Sequence, residues 1–268
     1  VQMLRKLVKY DLKYSFKLFL MVHGIYLLIC ILLRLLVMNQ LDFSKPEEVL
    51  VPPITLILIL EIFLLSAVSL TTSLLIALRF YRNLFSREGY LTWTLPASSS
   101  EHLLAKFCSG YLIAAADIAF IAAGILILAT GSNVAEAYRQ IAPDINDALG
   151  TSLSVYATRL FLFSLLFTFT TVIQIYFCIA LGQLFQGHRV LFAIAFYFLT
   201  GLIVQVLTTV LALASGFFSD QAACLASGFS MGAAMDSIYL MTGALSIVLA
   251  AAEYIAAHYI MKRKINLI

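Results

Sequence analysis

Asp117 sits near the middle of an apolar run, roughly Leu103–Thr130, where a charge demands an explanation. Charged side chains in hydrocarbon are costly and normally face protein or water. Glu61, Glu253, Gln174 and Gln205 lie in other apolar runs. Each of these five either lines a route for a polar cargo or hydrogen-bonds a neighbouring helix and serves only the fold. Thr168, Thr170 and Thr171 add a polar element to a wall otherwise made of Phe and Leu, which suits an amphiphilic cargo without selecting one. Arg34 lies ~6 Å from the end of the first run and Glu61 ~11 Å from the corresponding end of the second. They either pair, or Arg34 snorkels alone.

Covalent chemistry has little support. Asp117 and Glu253 are the carboxylates that a membrane-embedded hydrolase would use, but no G-x-S-x-G or other nucleophile motif accompanies them. His23, His102, His188 and His258 are scattered, with no H-E-x-x-H, and read as packing residues rather than a metal site. The cysteines, Cys30, Cys108, Cys178 and Cys224, form no C-x-x-C pair and read as small hydrophobes. No G-x-x-x-x-G-K-[ST] is present to cradle nucleotide phosphates. The chain is therefore expected to be no enzyme in its own right, with no metal or cofactor of its own and no nucleic-acid partner.

The stretch from Arg79 to Pro96 has a different composition. It reads Arg-Phe-Tyr-Arg-Asn-Leu-Phe-Ser-Arg-Glu-Gly-Tyr-Leu-Thr-Trp-Thr-Leu-Pro, dense in both aromatics and arginines. A mere connector would be short and polar. Aromatics beside arginines are what protein contact surfaces use, although an interfacial aromatic belt has the same composition. Gly89 and Pro96 predict helix breaks, leaving a short helix around Phe80–Arg87. Ser98–Ser100 offers N-caps for a helix through Glu101.

These residues must be positioned by membrane helices. Of 268 residues, 62% are hydrophobic and 12% charged, too few charges to cover a water-facing surface. Backbone in hydrocarbon needs internal partners, so only helices or closed barrels span a bilayer. The apolar runs are ~20 residues or longer and do not alternate, which predicts helices. Six spans are expected: Leu18–Met38, Ile54–Leu78, Leu103–Thr130, Thr158–Phe185, Val190–Ala214 and Asp236–Met261. Residues 1–17 predict an amphipathic interfacial helix with Arg5, Lys6, Lys9, Lys13 and Lys17 on one face. Asp11 and Ser15 interrupt its apolar side and suggest contact with protein.

Residues 79–102 form a connecting segment, and 131–157 and 215–235 are loops on the opposite face. The whole of 1–268 is read as one transmembrane domain. Charge sets its direction. With the N-terminus cytosolic, that face holds Arg5, Lys6, Lys9, Lys13, Lys17, Arg79, Arg82, Arg87, Lys106, Arg189, Lys262, Arg263 and Lys264, thirteen of the 17 Lys and Arg. The positive-inside rule then places both termini in the cytosol.

The stretch Arg79–Lys106, with Glu88-Gly89-Tyr90-Leu91-Thr92, Thr94-Leu95-Pro96 and Leu103-Leu104-Ala105-Lys106, resembles the first cytosolic loop of ABC-2-type transporter permeases, those of Gram-positive bacteria above all. The six-span layout, amphipathic start and basic end agree over nearly the whole chain. The resemblance implies a multi-pass protein of the bacterial cytoplasmic membrane, acting as the permease of an exporter for a peptide, lipid or antibiotic. It implies a coupling helix in which Phe80, Tyr81, Arg82, Leu84, Phe85, Arg87, Glu88, Gly89 and Tyr90 meet a separate ATP-binding cassette ATPase, which holds the ATP and Mg. It also implies two permease subunits, alike or different, and two ATPases per transporter. The turn Gln186–Arg189 would be a lesser ATPase contact, and 215–235 would carry short re-entrant helices. In that family the second and fifth spans line the path, which makes Glu61, Thr72 and Gln205 candidates there, beside Asp117 and Gln174. A non-transporting sensor or immunity protein would share the fold without needing an ATPase.

Overall fold

The computed structural model describes residues 2–214 and 231–263. Among them the chain is all-helical: α1 (Gln2–Leu36), a 3-10 turn (Met38–Gln40), α2 (Glu47–Phe85), α3 (Arg87–Trp93), α4 (Ser99–Ala129), α5 (Ser132–Leu149), α6 (Leu153–Gly182), α7 (Arg189–Ala214) and α8 (Met231–Arg263). Six of these, α1, α2, α4, α6, α7 and α8, are long and apolar enough to cross a membrane. Their outward faces carry large apolar side chains such as Phe63, Phe198 and Val248. A surface of that kind belongs in lipid rather than water, and the chain is a multi-pass membrane protein.

The first helix departs from expectation. It runs unbroken for 35 residues, with no turn between the basic stretch and the first span. At 1.5 Å per residue it is about 50 Å long, against ~30 Å of hydrocarbon. The reason lies in α4. The two helices run parallel and pair at a nearly constant sequence offset: Asp11 with Lys106, His23 with Asp117, Tyr26 with the Ile121 carbonyl, and Arg34 with the Leu128 carbonyl are 95, 94, 95 and 94 residues apart. One straight α1 meets α4 along its whole length, which keeps residues 2–17 in line with the span.

Other boundaries also move. α2 begins at Glu47, before Pro52 and Pro53, rather than after them. Glu47 and Glu48 lie in its first turn, where negative charge suits the positive end of the helix dipole. The polar stretch after the third span, expected as a loop, is largely the helix α5. Val134, Tyr138, Ile141 and Ile145 recur there at helical spacing, giving one apolar stripe. Gly150 ends the helix with φ 66°, a left-handed conformation that glycine adopts without a Cβ clash. Of the expected loop with re-entrant helices, 215–235, residues 215–230 lie outside the described residues, and 231–235 already belong to α8.

Two clusters make the core. One gathers Phe80, Leu84, Leu103, Tyr176 and Ala180 with Ala257, Ile260 and Met261, so the far end of α8 shares a cluster with the end of α2, the start of α4 and the end of α6. The other, at the opposite end, joins Tyr26, Cys30, Ile57, Val68 and Leu128.

Candidate functional site

The connection from α2 to α4 is built differently from the sequence expectation. α2 continues through Phe80 and ends at Phe85, so no separate Phe80–Arg87 helix forms. The break falls at Ser86, whose hydroxyl accepts from the Glu88 N–H at 3.3 Å and caps α3. Gly89 does not end a helix but sits inside α3. It lets α3 lie against the end of α2: a Cβ at 89 would be 2.7 Å from the Leu84 carbonyl oxygen. Trp93 donates its indole N–H to that same carbonyl at 3.1 Å, satisfying a group the last turn of α2 cannot. Of the N-cap candidates Ser98–Ser100, Ser98 caps α4, and Glu101 completes a capping box with it.

This geometry divides the aromatic stretch in two. Phe80 and Leu84 are fully buried and Phe85 nearly so. Phe80 stacks on Tyr176 of α6, with centroids 4.0 Å apart and planes 13° apart, and meets Phe85 edge-on. These three face the molecule's own core, as does Gly89, and Tyr81 is half-buried. Arg82, Arg87, Glu88, Tyr90 and Leu91 form the outward surface, with Tyr90 68% and Leu91 71% exposed. Arg82 and Glu88 pair at 2.5 Å across the break. That contact is exposed and adds little stability.

Beneath this arm lies a buried ionic knot. Asp11 of α1 accepts from Lys106 and Ser109 of α4, both at 2.5 Å. It also faces Arg79 of α2 at 3.1 Å. Asn83 approaches at 3.4 Å. The Arg79 guanidinium lies over the Tyr14 ring at 3.8 Å. Tyr176 donates to the Lys106 carbonyl at 3.0 Å and brings in α6. Three chain-distant helices are thus held by one carboxylate between two cations. The expectation that Asp11 and Ser15 touch protein holds, since both are buried.

A second polar cluster lies deeper. Asp117 meets His23 at 2.7 Å and accepts from Thr72 at 2.9 Å and Ser69 at 3.1 Å. His23 is stacked on Phe19, and its Nδ1 lies 2.8 Å from the Phe19 carbonyl. A carbonyl only accepts, so Nδ1 carries a hydrogen. One proton then joins Nε2 to Asp117, while two hydroxyls donate to the carboxyl oxygens. Asp117 and Thr72, placed separately on a cargo path by the sequence, are brought together and locked between α1, α2 and α4. His23 was read as ordinary packing. Its partnership follows from the α1–α4 offset, which no local pattern displays.

The remaining polar residues find other partners. Arg34 and Glu61 do not pair. Glu61 accepts from the Tyr26 hydroxyl at 2.7 Å, with the Cys30 thiol 3.8 Å away. Arg34 instead donates to the Leu128 carbonyl at 3.3 Å and to Asn133 at 3.1 Å, closing the end of α4. Straight α1 places Arg34 at α4's unsatisfied last carbonyls, beyond Glu61's reach. Gln174 donates to Thr200 at 2.8 Å, tying α6 to α7. Gln205 is exposed on α7, and Glu253 is half-buried on α8. Among the described residues no group of three or more His, Cys, Asp and Glu is placed to hold a metal. No family model, curated protein or solved structure matches the chain.

Proposed function

We propose that the chain is the membrane subunit of an ABC-type exporter, driven by a separate ATPase that docks on α3. The observation that carries this reading is the form of α3: a short helix between two membrane-long helices, fixed at its base by Gly89 and Trp93, with Tyr90 and Leu91 turned outward. Exposed aromatic and aliphatic side chains beside Arg82 and Arg87 suit an anchor for a protein groove. The excess of Lys and Arg on this side supports a cytosolic position for the arm, where ATP is available. ATP and Mg would be held by the ATPase, two of which would serve two permease copies.

Force on α3 reaches the bundle through short contacts. Trp93 and Gly89 pass it to α2, the Asp11 knot passes it to α1 and α4, and the Phe80–Tyr176 stack passes it to α6. Phe80, Leu84 and Phe85 act from inside, transmitting rather than contacting. A rigid-body shift of packed helices of this kind is a recurring form of switching. The cargo would be amphiphilic, matching the apolar spans, and the membrane that of a bacterial cell.

The test is retention. A tagged chain purified from its native host should hold an ATP-binding cassette ATPase through purification. Tyr90→Ala with Leu91→Ala should release it while leaving the membrane subunit's melting unchanged. A double variant that retains the ATPase in full removes α3 as the docking site. A chain that never retains an ATPase favours a sensor or immunity protein of the same fold.

A further inference from the structure

We propose that the groove between the N-terminal half of α1 and the middle of α4 is a binding site for an anionic phospholipid of the leaflet on the N-terminal side. This inference does not depend on the transport reading. The groove has a volume of about 850 Å³ and is lined on the α1 side by Arg5, Lys9, Lys13 and Phe16, and on the α4 side by Leu112 and Ala116 among others.

Its lining is mainly apolar, with Leu4, Val8 and Leu12 set between Arg5, Lys9 and Lys13, and its charge is confined to that end. Arg5, Lys9 and Lys13 recur every fourth residue, so they form one row with steps of about 6 Å. All three are exposed, and among the described residues none forms an ion pair. The acid on the same helix, Asp11, is turned the other way and is fully engaged by Lys106 and Ser109. Past Lys13 no charged residue lines the groove, which continues along α1 with Phe16 and Phe19. The α1–α4 offset places Leu112 and Ala116 beyond Lys13, toward the bilayer centre. Phosphate at the cation row with an acyl chain against Phe16, Leu112 and Ala116 matches this order. A neutral lipid would leave the row uncompensated. An anionic headgroup near Lys or Arg is favourable by about one tenfold step in affinity for every one to two residues engaged.

The test uses the full chain in nanodiscs of equal parts phosphatidylcholine and phosphatidylglycerol, followed by gentle extraction and native mass spectrometry of retained lipid. The wild type should keep phosphatidylglycerol in preference to phosphatidylcholine. Lys9→Gln with Lys13→Gln should reduce that preference on the order of tenfold. Lys6→Gln with Lys17→Gln removes the same charge from the same helix outside the groove lining and should leave it within about twofold. Ala116→Phe, which fills the apolar floor and keeps every cation, should also reduce retention. Equal losses from both lysine pairs would overturn the site in favour of general surface attraction. Unchanged retention in Ala116→Phe would overturn the groove itself. Thermal melts of each variant separate these outcomes from misfolding, and the conservative pair Lys9→Arg with Lys13→Arg should retain the lipid.

Discussion

The two halves of the bundle are held by different forces. In the first, α1, α2 and α4 are tied by buried polar contacts at three depths: the Asp11 knot, the His23–Asp117 cluster and the Tyr26–Glu61 pair. In the second, α6, α7 and α8 are joined mostly by apolar and aromatic packing, with Gln174–Thr200 inside and Arg159–Asp236 at the rim. Polar contacts fix register, because a slide of one turn leaves every partner unmatched. Apolar packing tolerates small slides. The half that carries α3 is thus the stiff one, and the other half is where helices shift more easily. α7 is the extreme case, with only 6% of its most apolar window buried, so lipid or another subunit covers most of it.

The contrast can be broken most severely at Asp11. Asp11→Ala leaves buried Lys106 beside half-buried Arg79 without a counter-charge, which should cost about 3–5 kcal/mol. Thermal unfolding in nanodiscs measures it, and adding Lys106→Met should recover part of the loss. A smaller effect is expected at His23→Leu. It strips Asp117 of its closest partner and should cost about 1–3 kcal/mol. Adding Asp117→Leu should cost less than the two single changes summed, as coupled neighbours do.

Packing between α1 and α4 gives the next step down. A Cβ at Gly124 would meet the Tyr26 hydroxyl at 2.1 Å. Gly124→Ala should therefore push Tyr26 off Glu61 and cost about 1–2 kcal/mol, readable as a lowered denaturation midpoint. In the second half, Arg159→Ala removes the pair with Asp236, which is half-exposed at 2.6 Å. It should cost less than about 1 kcal/mol, measured by the same melt. If Arg159→Ala proved as damaging as Asp11→Ala, the division into a register-fixed and a slide-tolerant half would be lost.

Hydrophobic run length alone made the six long helices legible, since no other element needs ~20 apolar residues in a row. Ser98–Ser100 announced the start of α4 as N-cap residues, and Asp11 announced a protein contact by standing on an apolar face. What stayed hidden depended on partners distant in the chain. The basic start of α1 looked like a helix lying in the interface because local amphipathicity carries no information about α4. Gly89 looked like a helix breaker, because its use, letting α3 rest on the Leu84 carbonyl, exists only once α3 is folded back. Phe80, Leu84 and Phe85 looked like a surface because aromatic density is the same whether a face meets a partner or its own core. Depth left Arg34 and Glu61 free to pair or Arg34 to snorkel alone; in the fold Arg34 meets the end of α4 and Glu61 meets Tyr26.

The side of the membrane on which α3 lies decides whether it can receive work from ATP. With the native cysteines replaced by alanine, Leu91→Cys can be probed with a membrane-impermeant maleimide. Protection in intact cells and labelling once the membrane is opened is the predicted result. Labelling of Leu91→Cys in intact cells would contradict it, since an arm outside the cell meets no ATPase.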